Sequence, residues 1–211
     1  LAKLTPIMDD LDTASSSIAE SVAQMRKLLA LLEDTLAYND TALSQLQSFC
    51  TEMEAACDSM LAGLDALEKA FSLMKDGPAM PDTAQLRADT AKLLAALTQL
   101  NEVIDTAVKE YRNTGSVSEA TQARLNDALQ AAFNCYSAVV SDLNDLINNT
   151  DLDGLRSQNE ETLRQILASL QTAMDSFYSA TSHLSAAMGH LYDALGTLRA
   201  INGQAEKIFA Q

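Results

Sequence analysis

The chain has 211 residues and a formal charge of −15. It is 47% hydrophobic but only 5% aromatic, with no Trp, seven Gly and three Pro. So acidic a surface repels phosphate backbones and anionic membranes, which argues against nucleic acid as a partner. No apolar run approaches the ~18 residues that span a bilayer. Breakers are scarce in a chain rich in Ala, Leu, Ser, Asp and Gln, which predicts long helices and an all-α fold.

The first predicted helix spans about residues 8–75. Apolar residues recur at alternating steps of four and three from Leu11 through Ile18, Met25, Leu32, Leu43, Cys50, Cys57, Leu64 and Phe71 to Met74. Only Ser15 and Asn39 are clearly polar in that series, which has the spacing of a coiled-coil seam. Pro6 suits the first turn, and Asp9 and Asp10 suit the positive end of the helix dipole. Lys75-Asp76-Gly77-Pro78 is the stop. The second helix spans about 83–113, after Pro81, with a seam from Leu86 to Tyr111, and ends at Asn113-Thr114-Gly115. The third spans about 117–149: Ser116 and Glu119 have capping-box spacing, and the seam runs from Leu125 to Leu146. The fourth spans about 151–210, with an irregularity near Gly154 and a seam from Leu163 to Phe209.

The lengths therefore run long, short, short, long, with short connections that make neighbours antiparallel. This predicts an elongated antiparallel helical bundle in a single domain over 1–211. A four-helix bundle at about 40–180 would stand on a two-helix coiled-coil stalk of about 5–40 with 180–211. The first helix alone would be roughly 100 Å long. Both chain ends would meet at the foot of the stalk, the geometry of a domain inserted between membrane segments. The start at Leu1, already close to a helix, reads as a piece excised from a longer membrane protein.

Residues with chemical potential are few. His183 and His190 lie seven apart on one face, without the i, i+4 or Glu-x-x-His spacing of a metal site, and read as flank histidines; Asp193 is one turn from His190. No nucleophile elbow, zincin motif or phosphate-cradling loop occurs, so no catalytic residue, metal or cofactor is assigned. Glu160-Glu161 reads as a solvated face. Cys50 and Cys57 on the first seam, and Cys135 beside the third, read as buried free thiols; a bridge would need a register shift. Asn39 and Thr181 are polar seam positions that either fix register or mark a hydrated junction. The glycosylation-like triplets at Asn39 and Asn148 are discounted.

One feature stands out on the last helix. In "MGHLYDALGTLRAING", residues 188–203, Gly189, Gly196 and Gly203 recur every seven residues opposite the seam. Each costs a helix about 1 kcal/mol relative to alanine. Two explanations stand: a face that lets a partner or second copy approach closely, or a plain solvent face. The segment "SAAMGHLYDALGTLRAINGQ" resembles the leucine-and-glycine heptads of bacterial phage-infection-protein (YhgE/Pip) membrane proteins. It shares the seven-residue spacing of glycine with Leu184, Leu191 and Leu198. It departs from the family pattern at Ala187, Ala194 and Ile201, where the repeat has a second glycine. The resemblance implies an exported helical domain between a first membrane helix and a transporter-permease-like membrane block, in proteins linked to phage adsorption and secretion.

The functional expectation is a non-enzymatic extracytoplasmic helical domain at the cell membrane that mediates protein interaction or self-association. Membrane contact would come only through flanking segments. The alternative is a cytoplasmic coiled-coil signalling or scaffold domain, whose usual two equal helices the Gly77-Pro78 and Gly115 breaks do not match. A pore-forming toxin would need a concealed apolar hairpin, and none is found.

Overall fold

The computed structural model describes residues 4–32, 37–74, 82–150 and 158–209, the side chains of residues 4, 201–206, 208 and 209 excepted. Within them the chain is all-α and forms an elongated helical bundle. The five helices are α1 (Leu4–Leu29), α2 (Asp40–Leu73), α3 (Ala84–Thr114), α4 (Glu119–Asn148) and α5 (Glu160–Phe209). No helix among the described residues is long and apolar enough to cross a membrane.

The predicted first helix is two helices. Arg26 and Lys27 lie in the last turn of α1, where cations suit the dipole. Beyond Leu29 the backbone tightens into short-range bonds, from Leu31 N to Leu28 O and from Leu32 N to Leu29 O. The α2 start is set by Asn39, whose Oδ1 accepts the Ala42 N–H at 2.8 Å, with Asp40 in the first turn. Asn39 is thus neither a register-fixing seam residue nor a hydrated junction. It caps a new helix. Tyr38, 3% exposed, anchors the link by donating its hydroxyl to Asn126 Oδ1 on α4 at 2.7 Å. A heptad pattern reports which face is apolar, not whether the backbone between two apolar residues is continuous.

The break reverses the chain. α1 runs antiparallel to α4: Ser15 bonds Asn144, Ser21 bonds Tyr136, and Arg26 lies over the Phe133 ring at 5.6 Å. On its other side α1 runs parallel to α5, with Asp10 beside Tyr178. α2 runs antiparallel to α5, as the Ser59–Ser179 and Gln45–His190 pairs show, and antiparallel to α3, to which Arg87 ties it through Asp65 and Glu68 at 2.7 Å each. α3 and α4 form an antiparallel hairpin. The helices therefore pack in a closed ring, α1–α5–α2–α3–α4 and back to α1. A ring with an odd number of helices needs at least one parallel pair, and here it is α1 with α5.

This corrects the stalk. Residues of α1 and α5 do lie together, but in the same direction, and α1 is also covered by α4. Asp10 sits at the level of Tyr178, so Lys207 lies about 45 Å from it along the axis of α5. The start of α1 and the end of α5 do not meet.

The α3–α4 turn follows prediction closely. Gly115 takes the left-handed conformation (φ 76°) and donates to Tyr111 O at 2.7 Å. The cap of α4 is Ser118, not Ser116. Its Oγ accepts from Thr121 N, while Glu110 accepts from Ser118 N and from Thr121 Oγ1. Those bonds, the Thr121 one first, hold the Glu110 carboxyl below the usual range. The predicted Lys75–Pro78 stop, Pro81 and the irregularity at Gly154 lie outside the described residues.

Predicted seam residues form the core: Ile18, Met25, Leu46, Met53, Leu93, Leu97, Leu129, Tyr136, Phe177 and Leu191 are all 1% exposed or less. The buried stripes are wider than a two-helix seam because each helix has two neighbours. Alanines fill the added width, and on α5 Ala173, Ala180, Ala187 and Ala194 are each fully buried, seven apart. Between them, Phe177 stacks against Gly63 of α2. A Cβ there would lie 2.9 Å from Phe177 Cζ.

Candidate functional site

The glycine face can be followed for two of its three residues. Gly189 and Gly196 are exposed, and an added Cβ at either would meet nothing within 4 Å. Gly203 lies in the last turns of α5, where side-chain surroundings are outside the described residues. Gly189 borders a groove of about 420 Å³ between α5 and α1, whose walls include Gln24, Lys27, Leu28, Met188, Tyr192 and Asp193. The parallel pairing of α1 with α5 creates this groove. Tyr192 stands at its edge, 65% exposed, more than any other large hydrophobic side chain described. Lys27 and Asp193 put one charge of each sign on it. An aromatic ring thus stands beside a shallow, mainly apolar groove. The heptad reading pointed to the glycines but not to Tyr192 or Leu28. Tyr192 is off the seam, and its combination with α1 depends on the α1–α5 direction.

The other chemistry-bearing residues are engaged between helices. His183 Nδ1 lies 2.6 Å from Glu52 Oε2, and His190 Nδ1 lies 2.8 Å from Gln45 Oε1, so both histidines tie α5 to α2. His190 thus pairs with Gln45 rather than Asp193. Thr181 bonds back to Tyr178 O, as a helical threonine facing outward does. Cys50 and Cys57 are buried free thiols, pushed up to about 12, chiefly by burial, and Cys135 is a half-buried free thiol. Glu160 pairs with Arg164 one turn on, an exposed ladder at the start of α5. Among the described residues no group of three or more His, Cys, Asp or Glu is arranged to hold a metal ion.

One pair of carboxyls was not singled out in the sequence. Asp89 on α3 and Asp142 on α4 face each other, Asp89 with 8% exposure. Both fall one residue from a seam position, at Thr90 and Leu143, where a charged residue is ordinarily solvated. Helix-flank acids are too numerous in this chain for the spacing to mark these two.

No family model matches the chain, and neither does any curated protein or solved structure. These comparisons supply no link to the phage-infection proteins that the α5 heptads resemble.

Proposed function

We propose that this chain is a non-enzymatic helical domain that works through its surface, binding a protein partner or a second copy of itself. The observation that carries this reading is the groove between α1 and α5, with Tyr192 exposed at its edge and Gly189 leaving its rim open. Gly189, Gly196 and Gly203 form the proposed contact face, with Tyr192 as its aromatic anchor. The interior supports the same reading. One continuous apolar core takes up the inward faces of all five helices, and both histidines are used to hold α5 against α2.

The setting we propose is the extracytoplasmic side of a bacterial membrane protein. That part rests on the glycine–leucine heptads of α5, since the helix ends do not adjoin as a membrane-inserted hairpin would require. The sequence flanking the domain in its gene decides the setting. Apolar segments of ~20 residues there support it; without them the same surface belongs to a cytoplasmic scaffold.

Light scattering coupled to size exclusion, over a range of concentrations, tests the surface. A dimer mass that Tyr192→Ala and Gly189→Gln each abolish, with unchanged thermal stability, supports self-association through this face. A monomer at every concentration removes the self-association reading and leaves the heterologous partner. A dimer indifferent to both substitutions removes the face.

A further inference from the structure

We propose that Asp89 and Asp142 form a proton-sharing clasp between α3 and α4, closed while the pair holds one proton and loosened when both carboxyls ionise. The two carboxyls lie close enough to perturb each other's ionisation, and two carboxyl groups can hydrogen-bond to each other only when one of them carries a proton. Asp142 Oδ2 is buried, and among the described residues no donor group reaches it. A shared proton supplies the missing partner. Without it, two negative charges face each other between α3 and α4, with Asp89 and one Asp142 oxygen buried.

The surroundings assign the proton. Asp89 is already served as an anion: Gln85 Nε2 donates to its Oδ2 at 3.0 Å, and Lys92 Nζ lies 3.6 Å from its Oδ1. Asp142 has no such help. On its own helix the nearest charge is Asp145, a third carboxylate, and across a recess of about 310 Å³ stands Asp82 on the α3 side. α2 faces this level with Met60, Leu61 and Leu64, which pack under Leu143. α1 faces it with Ser15, bonded to Asn144. Lys92 is therefore the cation facing the pair among the described residues, and it sits on Asp89.

Burial first, and Asp89 second, push the Asp142 carboxyl from its ordinary 3.8 up to about 6. The neighbouring Asp142 carboxyl first, and then the Gln85 bond, hold Asp89 below its usual range. Between those two values for Asp142, the folded chain holds a proton that the unfolded chain has lost. Its contribution to stability is complete below the ordinary value and is lost as pH rises through about 6. Asp89 works in the opposite sense, and only at lower pH. The clasp is thus tight in mildly acidic conditions and strained at neutral pH.

The test is a carboxyl-carbon NMR titration of the full chain, with thermal unfolding at about pH 5 and about pH 7.5. Asp142 should titrate near 6, and Asp89→Asn should return it toward the ordinary aspartate range. Asp142→Asn, which donates permanently, should melt about 3 to 6 °C above the parent at the higher pH and match it at the lower. Asp105→Asn, at an exposed position on α3, controls for the general relief of negative charge. Titration of Asp142 in the ordinary range overturns the proposal. So does an equal rise in melting temperature for Asp142→Asn and Asp105→Asn. If Asp142→Asn fails to fold, the two NMR midpoints still decide.

Discussion

The glycines show that one residue type has opposite meanings on two faces of a bundle. Gly63 sits under the Phe177 ring, with three ring atoms between 2.9 and 3.1 Å from where a Cβ would be. Alanine there gains about 1 kcal/mol of helix propensity but overpacks a buried aromatic, at about 1–3 kcal/mol. Gly63→Ala should lower stability by about 1 kcal/mol in urea unfolding. Gly189 and Gly196 have open space around them, so alanine at either should raise stability by about 0.5–1 kcal/mol. A loss at Gly189 in the isolated chain would contradict the open face. The seven-residue recurrence of glycine was legible in the sequence. Gly63 was not, because a lone helical glycine carries no trace of the ring that lies over it.

Among the elements, α3, α4 and the turn between them were the most legible. Gly115, Ser118 and the nearby Glu110 are local signals, and each acts within a few residues. The α1–α2 break was the least legible. Residues 30–39 contain no Gly or Pro, and their leucines keep the heptad phase across the link. The remaining signal was Asn39-Asp40-Thr41, a cap written inside an apolar series. Asn39→Ala separates the two possibilities by sign. In a continuous helix alanine would be favourable, by up to about 0.7 kcal/mol. At the cap observed here it should cost about 1 kcal/mol, measured by denaturant unfolding. Tyr38 fixes where α2 starts: its buried ring and its bond to Asn126 hold the residues just before α2 against α4.

At the scale of the whole molecule, the ring of five helices replaces a bundle on a stalk. α5, with 50 residues, is the longest element, about 75 Å, against roughly 100 Å for the predicted first helix. Dyes introduced through unnatural amino acids at Asp10 and Lys207 should report about 45 Å between them, measured by single-molecule energy transfer. A stalk with adjoining ends would bring them within about 20 Å, less than half that distance. The difference matters for function. The parallel pairing of α1 with α5 brings Leu28 and Lys27 beside Tyr192, and so makes the groove on which the proposed contact face depends.

The sequence by itself determined that the fold is all-α, which residues face inward, and where three of the four intended helices run. Those properties follow from 3.6-residue periodicity and from caps, which act within one or two turns. Only the tertiary structure decided that α1 turns back, that it lies parallel to α5, that Gly63 meets Phe177, and that Asp89 meets Asp142. An apolar stripe is satisfied by any partner stripe in either direction, so periodicity carries neither the direction nor the identity of a neighbour. Those are settled where side chains must fit, at the bonds of Ser21 with Tyr136 and of Tyr38 with Asn126, and under the ring of Phe177.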